Sequence, residues 1–180
     1  MARVPQIAGK ADVQEADHHV VDQVLEVFGR VRGPFSILLH SPELAERLLP
    51  MVPFSRKVTI VEARPRFVGI LATVREKDAA YVWAAQVNVA RQSGLSEKTI
   101  DVLRAKGPLS DLEPEDRDVA TYARQLVLTN KTDQSSFDTL QKRYGTKWLV
   151  ELTAIISFYG ALCGVVNAFE VPAPDDGDRF

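Results

Sequence analysis

The feature that most constrains the fold is an uncharged run of 18 residues near the end of the chain, 152–169. A helix of about 17–25 apolar residues can span a bilayer, so a membrane anchor has to be considered. Polar side chains interrupt the run, however, and no basic cluster follows it. We therefore expect a buried core helix and no membrane span. Gly160 and Gly164 lie one turn apart on it, so another helix could approach closely, from the same chain or from a second subunit.

The remaining segments show the helical period of apolar residues. Ser41-Pro42-Glu43 is typical of a helix start, and Gly29 of a helix end. No stretch alternates apolar and polar residues between hairpin turns; Val58–Val61 is the nearest strand candidate. The pattern predicts an all-α fold of about seven or eight helices. They are expected near 20–28, 42–49, 67–74, 79–90, 96–103, 114–127, 137–144 and 146–169.

Length and charge limit the class of protein. A chain of 180 residues with 46% hydrophobic residues suits one domain with a sizeable core. We expect an N-terminal arm at 1–16, a single domain at 17–172 and a flexible tail at 173–180. The net charge is −2, and the absence of a basic surplus argues against a nucleic-acid partner. The first residues contain no apolar signal-peptide core, so the cytoplasm is the expected compartment.

Few residues suggest chemistry. Cys163 is the only cysteine, which excludes an internal disulfide, a Cys-x-x-Cys redox pair and a multi-cysteine zinc site. His18 and His19 are adjacent and point about 100° apart, so we expect them to be solvated. His40 is either a packed, hydrogen-bonded histidine or a contributor to a pocket. Nucleotide-binding and metalloprotease motifs are absent from the sequence, and we expect no metal and no cofactor.

Gln86 is the most informative polar residue, because it lies on the most apolar of the predicted helices. A buried amide must find hydrogen-bond partners. It could bond to a neighbouring helix end, or it could project into a pocket. The sequence leaves both interpretations open.

Several segments together resemble the carboxymuconolactone decarboxylase family, which includes the alkyl hydroperoxidase D-like proteins. The core of the resemblance is YVWAAQVNVARQSGLSEKTIDVLRAKG. SPELAERLLP and RPRFVGILATV resemble the upstream helices, and ELTAIISFYGALCGVVNAFEVP resembles the closing helix. The likeness spans most of residues 35–172. It implies an alkyl hydroperoxidase D-like helical bundle that forms a homo-oligomer, as a dimer, trimer or hexamer.

The resemblance also implies where a site would lie. The hydroperoxidase branch has a Cys-x-x-Cys-x-x-x-His motif and a glutamate on the preceding helix; these positions are Ala79, Val82, Gln86 and Phe67 here. The decarboxylase branch has a glutamate four residues before the histidine, again at Val82 and Gln86. Every one of these residues is replaced, so the thiolates of a peroxidase and the proton relay are missing. Positions 79, 82 and 86 still share one helix face.

Two functions follow as hypotheses. One is a carboxymuconolactone decarboxylase-like lyase, or a peroxiredoxin-type oxidoreductase, acting on small organic acids, lactones or hydroperoxides. Its chemistry would be relocated to other residues, with His40, Tyr81 and Tyr159 as possible pocket contributors. The alternative is a catalytically inactive small-molecule-binding or oligomeric scaffold protein, because an apolar face with one amide suits a ligand.

Overall fold

The structure is a computed structural model that describes residues 2–180. Within them the chain is helical and contains no strand, which confirms the predicted all-α class. The α-helices are α1 His18–Phe28, α2 Pro34–Leu38, α3 Pro42–Leu48, α4 Met51–Pro53, α5 Ala63–Glu76, α6 Ala80–Gln92, α7 Glu97–Arg104, α8 Pro114–Thr129, α9 Gln134–Tyr144 and α10 Thr146–Ala168. The short α2 and α4 are the helices that the sequence pattern did not separate. Met1, part of the expected N-terminal arm, lies outside the described residues.

Val58–Val61, the nearest strand candidate in the sequence, forms no strand, in agreement with the predicted all-α class. Phe54–Val58 forms a π-helical turn, residues 60 and 61 form a bend, and no strand occurs within residues 2–180. The N–H of Ile60, which a strand would donate to a neighbour, donates to the carboxylate of Glu151 at 2.9 Å. A side chain thus satisfies the backbone group that a sheet would otherwise need.

Two compact units make up the chain. The first consists of the residues up to Thr59 together with Gly164–Pro172, and the second of Ile60–Cys163 with Ala173–Phe180. Compactness does not establish that either unit folds alone, so the single domain at 17–172 stays a prediction.

In the first unit, α1 packs against α3 through its buried valines. The rings of Phe28 and Phe35 lie 5.3 Å apart. The N-terminal arm is tied down by backbone bonds: the N–H of Ile7 donates to Ser36 and that of Arg3 to Phe169, each at 2.9 Å. Ile7 is buried, so this arm contributes to the core of its unit.

In the second unit, α5 is the central helix and packs against α6, α7 and α8. Asp116 of α8 is buried and joins two other helices to its own. It accepts hydrogen bonds from Arg64 of α5 at 3.0 and 3.1 Å and from Thr99 of α7 at 3.0 Å. A buried carboxylate with three donors is compensated for its lost hydration, so this contact fixes the starts of the three helices against each other.

Helix α10 contains the uncharged run. Within residues 2–180 it is the helix that is long and apolar enough to cross a membrane, and 50% of its apolar window is buried. Leu152, Ile155 and Ile156 are among its fully buried residues, as expected of a core helix. Within the chain, the close approach to α10 occurs at Gly69 of α5, where a Cβ would lie 3.2 Å from Leu152. A Cβ on Gly160 would lie 4.0 Å from Thr73. An approach of a second subunit at Gly160 and Gly164 stays a prediction.

Candidate functional site

The residues at the predicted site are buried in the second unit. Ala79 is the residue that precedes α6, and Val82 and Gln86 follow on the same face of that helix. Phe67 lies on α5, which packs against α6. All four are at most 8% exposed. The face is therefore apolar, with the Gln86 amide as its polar group.

Tyr159 of α10 supplies a hydrogen-bonding partner for that amide. Its hydroxyl donates to Oε1 of Gln86 at 3.3 Å, and both side chains are buried. The two interpretations that the sequence left open are a bond to a helix end and a projection into a pocket. The observed partner is a phenol, so Gln86 and Tyr159 form a neutral donor–acceptor pair that we call the amide–phenol pair.

Arg66 brings a positive charge to the same region, and the sequence reasoning missed it. Its guanidinium lies 5.4 Å from the centre of the Phe67 ring and donates to the carbonyl of Val61 at 3.1 Å. Burial lowers the pKa of Arg66, while the negative charge that Tyr159 would carry when ionised acts in the opposite direction. A half-buried cation beside the amide–phenol pair favours an anionic ligand. The available signal was an arginine directly before Phe67.

Cys163 cannot supply the thiolate that the face lacks. It is a free, buried cysteine on α10. Burial raises the pKa of its thiol to about 12. Because the thiolate is the nucleophile, this side chain is a small hydrophobic core residue at neutral pH, as its sequence context indicates.

The other residues considered from the sequence lie in different surroundings. Tyr81 is half-buried in the first turn of α6. His40 belongs to the first unit, where its Nε2 lies 2.8 Å from the Pro5 carbonyl oxygen. It borders a depression of about 430 Å³ that Ile7 and Leu39 also line. His40 is thus hydrogen-bonded, and its role as a pocket contributor stays a prediction.

Three carboxylates at the two ends of α5 are engaged in contacts of their own. Glu62 accepts a hydrogen bond from the Trp148 indole at 2.7 Å. Glu76 pairs with Arg124 at 2.8 Å, and Asp78 pairs with Arg75. Within residues 2–180 no group of three or more histidine, cysteine, aspartate or glutamate side chains has a metal-binding arrangement.

Comparison with solved structures places the fold. A crystal structure of an alkylhydroperoxidase AhpD core, an uncharacterized peroxidase-related protein from Ralstonia eutropha JMP134, is similar with a TM-score of 0.76. The similarity covers 97% of this chain and 93% of that one, at 18% sequence identity. No protein-family model matches the sequence, and no curated protein matches it significantly. At this identity the similarity concerns the fold alone, and it confirms the predicted alkyl hydroperoxidase D-like helical architecture.

Proposed function

We propose that this chain, which has the AhpD-core fold, binds a small organic molecule with a carbonyl or carboxylate group at the amide–phenol pair. We further propose that it does not act as a thiol-dependent peroxidase. The observation that carries the proposal is the hydrogen bond between Tyr159 and Gln86 inside an otherwise apolar face. Burying polar groups is costly unless they are hydrogen-bonded. The Tyr159 hydroxyl gives its proton to Oε1 of Gln86, which leaves the amide N–H groups of Gln86 as donors for a ligand oxygen.

Arg66 refines the ligand class. A guanidinium pairs well with a carboxylate, and its partial burial strengthens that attraction compared with a fully solvated cation. The Phe67 ring lies against the guanidinium, and the buried Val82 and Ala79 belong to the same apolar face as Gln86. A small organic acid with an apolar body suits this combination.

A second candidate function is lyase chemistry on such an acid or its lactone. Tyr159 favours it, because a phenol can donate a proton to oxygen in a transition state, which the Gln86 amide cannot do near neutral pH. Turnover of 4-carboxymuconolactone that is lost in Tyr159→Phe would support this function. Turnover that survives the substitution would place the chemistry elsewhere.

Binding is tested by isothermal titration of the purified full chain with a panel of small carboxylic acids and lactones. For any compound that binds, Tyr159→Phe is expected to weaken the affinity about tenfold, because it removes the hydrogen bond that orients the Gln86 amide. Tyr122→Phe is the matched control, because Tyr122 is also buried and bonds Thr153 at 2.8 Å. Equal losses in both variants, or no binding by any compound, would contradict the proposal.

Thiol chemistry is tested separately. We expect no reduction of organic hydroperoxides at the expense of a thiol, because Cys163 is protonated and buried. Activity in the wild-type chain that disappears in Cys163→Ala would overturn this part of the proposal.

We also propose a homo-oligomer, with the cytoplasm as its compartment. Support for the assembly comes from α10, whose exposed residues Val150, Ala154, Ser157 and Ala161 form one uncharged stripe. Val150 is 61% exposed. A second copy could cover this stripe, since the small side chains permit close helix packing.

A further inference from the structure

The C-terminal segment 173–180 ends in a charged cradle on the surface of the second unit. We use the term C-terminal cradle for Trp83 and Arg91 of α6, Arg104 of α7 and Arg75 of α5. Its ligand in the structure is the Asp178 carboxylate. The Trp83 indole donates to Oδ1 at 3.0 Å, and Arg91 donates to Oδ2 at 2.7 Å. Arg104 donates to both oxygens at 3.1 Å.

An aromatic ring two residues later completes the contact. The Phe180 ring meets the Trp83 ring edge-on, with centroids 5.8 Å apart. The guanidinium carbon of Arg75 lies 4.1 Å from the centre of the Phe180 ring, in cation–π geometry. Arg75 is itself held by its bond to the carbonyl of Arg104 at 2.6 Å. The cradle therefore recognises both a carboxylate and an aromatic face.

The segment also fits the cradle at its backbone. A Cβ on Gly177 would lie 2.7 Å from the Cβ of Ala84, a distance that real Cβ atoms essentially never show. Only glycine lets the backbone approach α6 this closely without displacing it. Gly177 thus lies against Ala84 of α6, Asp178 binds the indole and two arginines, and Phe180 stacks on Arg75.

The electrostatics agree with a carboxylate site. Burial acts to raise the pKa of Asp178, but hydrogen bonds from Trp83, Arg91 and Arg104 outweigh it and hold that pKa below its usual value. Moreover, Nε of Arg104 is buried and has no hydrogen-bond partner among residues 2–180. Both Nη2 of Arg104 and Nη2 of Arg91 are directed to the carboxylate, so the contact to Asp178 is made by two guanidinium groups.

We propose that the C-terminal cradle is a binding site for a peptide carboxylate followed two residues later by an aromatic side chain. Its resident ligand is the chain's own Asp178–Phe180. An Asp-x-Phe segment supplied from outside, including the C-terminus of a second copy, competes for the same groups. The resident segment has the advantage of a high effective concentration, so exchange requires that its anchor be weakened.

The occupied state is tested on the full chain with a carboxypeptidase that removes aromatic C-terminal residues, reading the loss of phenylalanine by intact mass. We expect Asp178→Asn to release Phe180 at least about tenfold faster than wild type, since two charge-assisted contacts are weakened. Asp176→Asn is the matched control: it removes the same charge from the same segment at an exposed position. Equal rates for wild type and Asp178→Asn would overturn the proposal.

Recognition in trans is tested on full-length Asp178→Asn, using a C-terminally amidated peptide of residues 173–180 and following the Trp83 indole resonance by NMR. We expect saturable binding, weakened at least about tenfold when the peptide carries asparagine at position 178. Equal binding of the two peptides, or none by either, would refute carboxylate recognition. In wild type, a rate of Phe180 removal by carboxypeptidase that is independent of protein concentration would show that the bound segment belongs to the same chain. A rate that falls as the concentration rises would show that it belongs to a second copy.

Discussion

The side chain at position 86 sets the chemistry available on its face of α6. An amide donates and accepts hydrogen bonds but exchanges no proton near neutral pH. Its observed partner, the Tyr159 hydroxyl, lies on α10, which is far from α6 in the sequence. The Gln86 amide can therefore hydrogen-bond a ligand, but it cannot relay a proton as a histidine does.

At the same scale, Cys163 is expected to be unreactive in the native state. A thiol with a pKa of about 12 is ionised to about one part in ten thousand at pH 8. An aromatic disulfide reagent should therefore label the protein only after unfolding, and then with one equivalent. Stoichiometric labelling in guanidinium is the control, and rapid labelling of native protein would contradict the burial of this thiol.

The contact of Asp178 with its arginines is expected to be lost at acid pH. Its pKa in the folded protein lies below the ordinary value of 3.8, so its contribution is complete above pH 3.8 and is lost as the pH falls through the folded value. The Trp83 indole resonance, which reports this bond, should shift in that range. Asp178→Asn should abolish the transition and Asp176→Asn should retain it, while circular dichroism separates it from global acid unfolding.

At the scale of helices, the close approach of α5 and α10 involves Gly69 of α5 and not Gly160 of α10. The space beside Gly69 is filled by Leu152 at 3.2 Å and Ile156 at 3.4 Å from a hypothetical Cβ. Gly160, by contrast, has room for a methyl group beside Thr73. Helix α10 thus packs closely against α5 because α5 has a glycine, Gly69, at the point of contact.

This difference predicts opposite effects of two glycine substitutions. Gly69→Val should lower the free energy of unfolding by about 1–3 kcal/mol, the usual cost of overpacking a core. Gly160→Ala should leave it unchanged or raise it by up to about 1 kcal/mol, because alanine favours helix. Urea denaturation of both variants measures the two values. A Gly160→Ala variant as unstable as Gly69→Val would contradict the space for a methyl group between Gly160 and Thr73.

For the whole molecule, the uncharged stripe of α10 predicts an assembly that a single charge disrupts. Light scattering after size-exclusion chromatography should give wild type a mass of at least two chains, each of 20.0 kDa. Ala161→Glu should shift it towards the monomer, because a buried unpaired carboxylate is costly. Leu128→Glu is the control, since Leu128 is 63% exposed on α8. A monomeric wild type would contradict the proposed homo-oligomer.

Local signals predicted much of the fold. Ser96 caps α7 by accepting a hydrogen bond from the N–H of Thr99, and Gly29 ends α1 in the left-handed conformation, both as their sequence contexts indicate. Such signals act over a few residues, so one sequence suffices to locate them. Val58–Val61, the nearest strand candidate, forms no strand because β-branched residues form one only where a partner strand exists.

Several contacts of the candidate site could not be predicted, because the residues that make them are distant in the sequence. The sequence indicated the face at Ala79, Val82 and Gln86 from helical spacing and resemblance. It did not indicate that Arg66 lies near Tyr159, which depends on how α5 and α10 approach each other. Nor did it indicate that Tyr159 bonds Gln86, which depends on how α10 approaches α6. The contact of Asp178 with Arg91 was likewise not predicted, because Asp178 lies in an acidic, proline-containing segment of the kind that is usually solvated.

The sequence by itself determined the helical class, the uncharged core helix and the absence of a second thiol to pair with Cys163. These follow from composition and from the 3.6-residue period, which are properties of the chain alone. Only the tertiary structure decided which polar groups meet. It buried the Cys163 thiol, joined Tyr159 to Gln86 and gathered three cationic side chains and an indole around Asp178 and Phe180. The physical reason is that hydrogen bonds and ion pairs act over a few ångströms in space, whatever the separation in sequence.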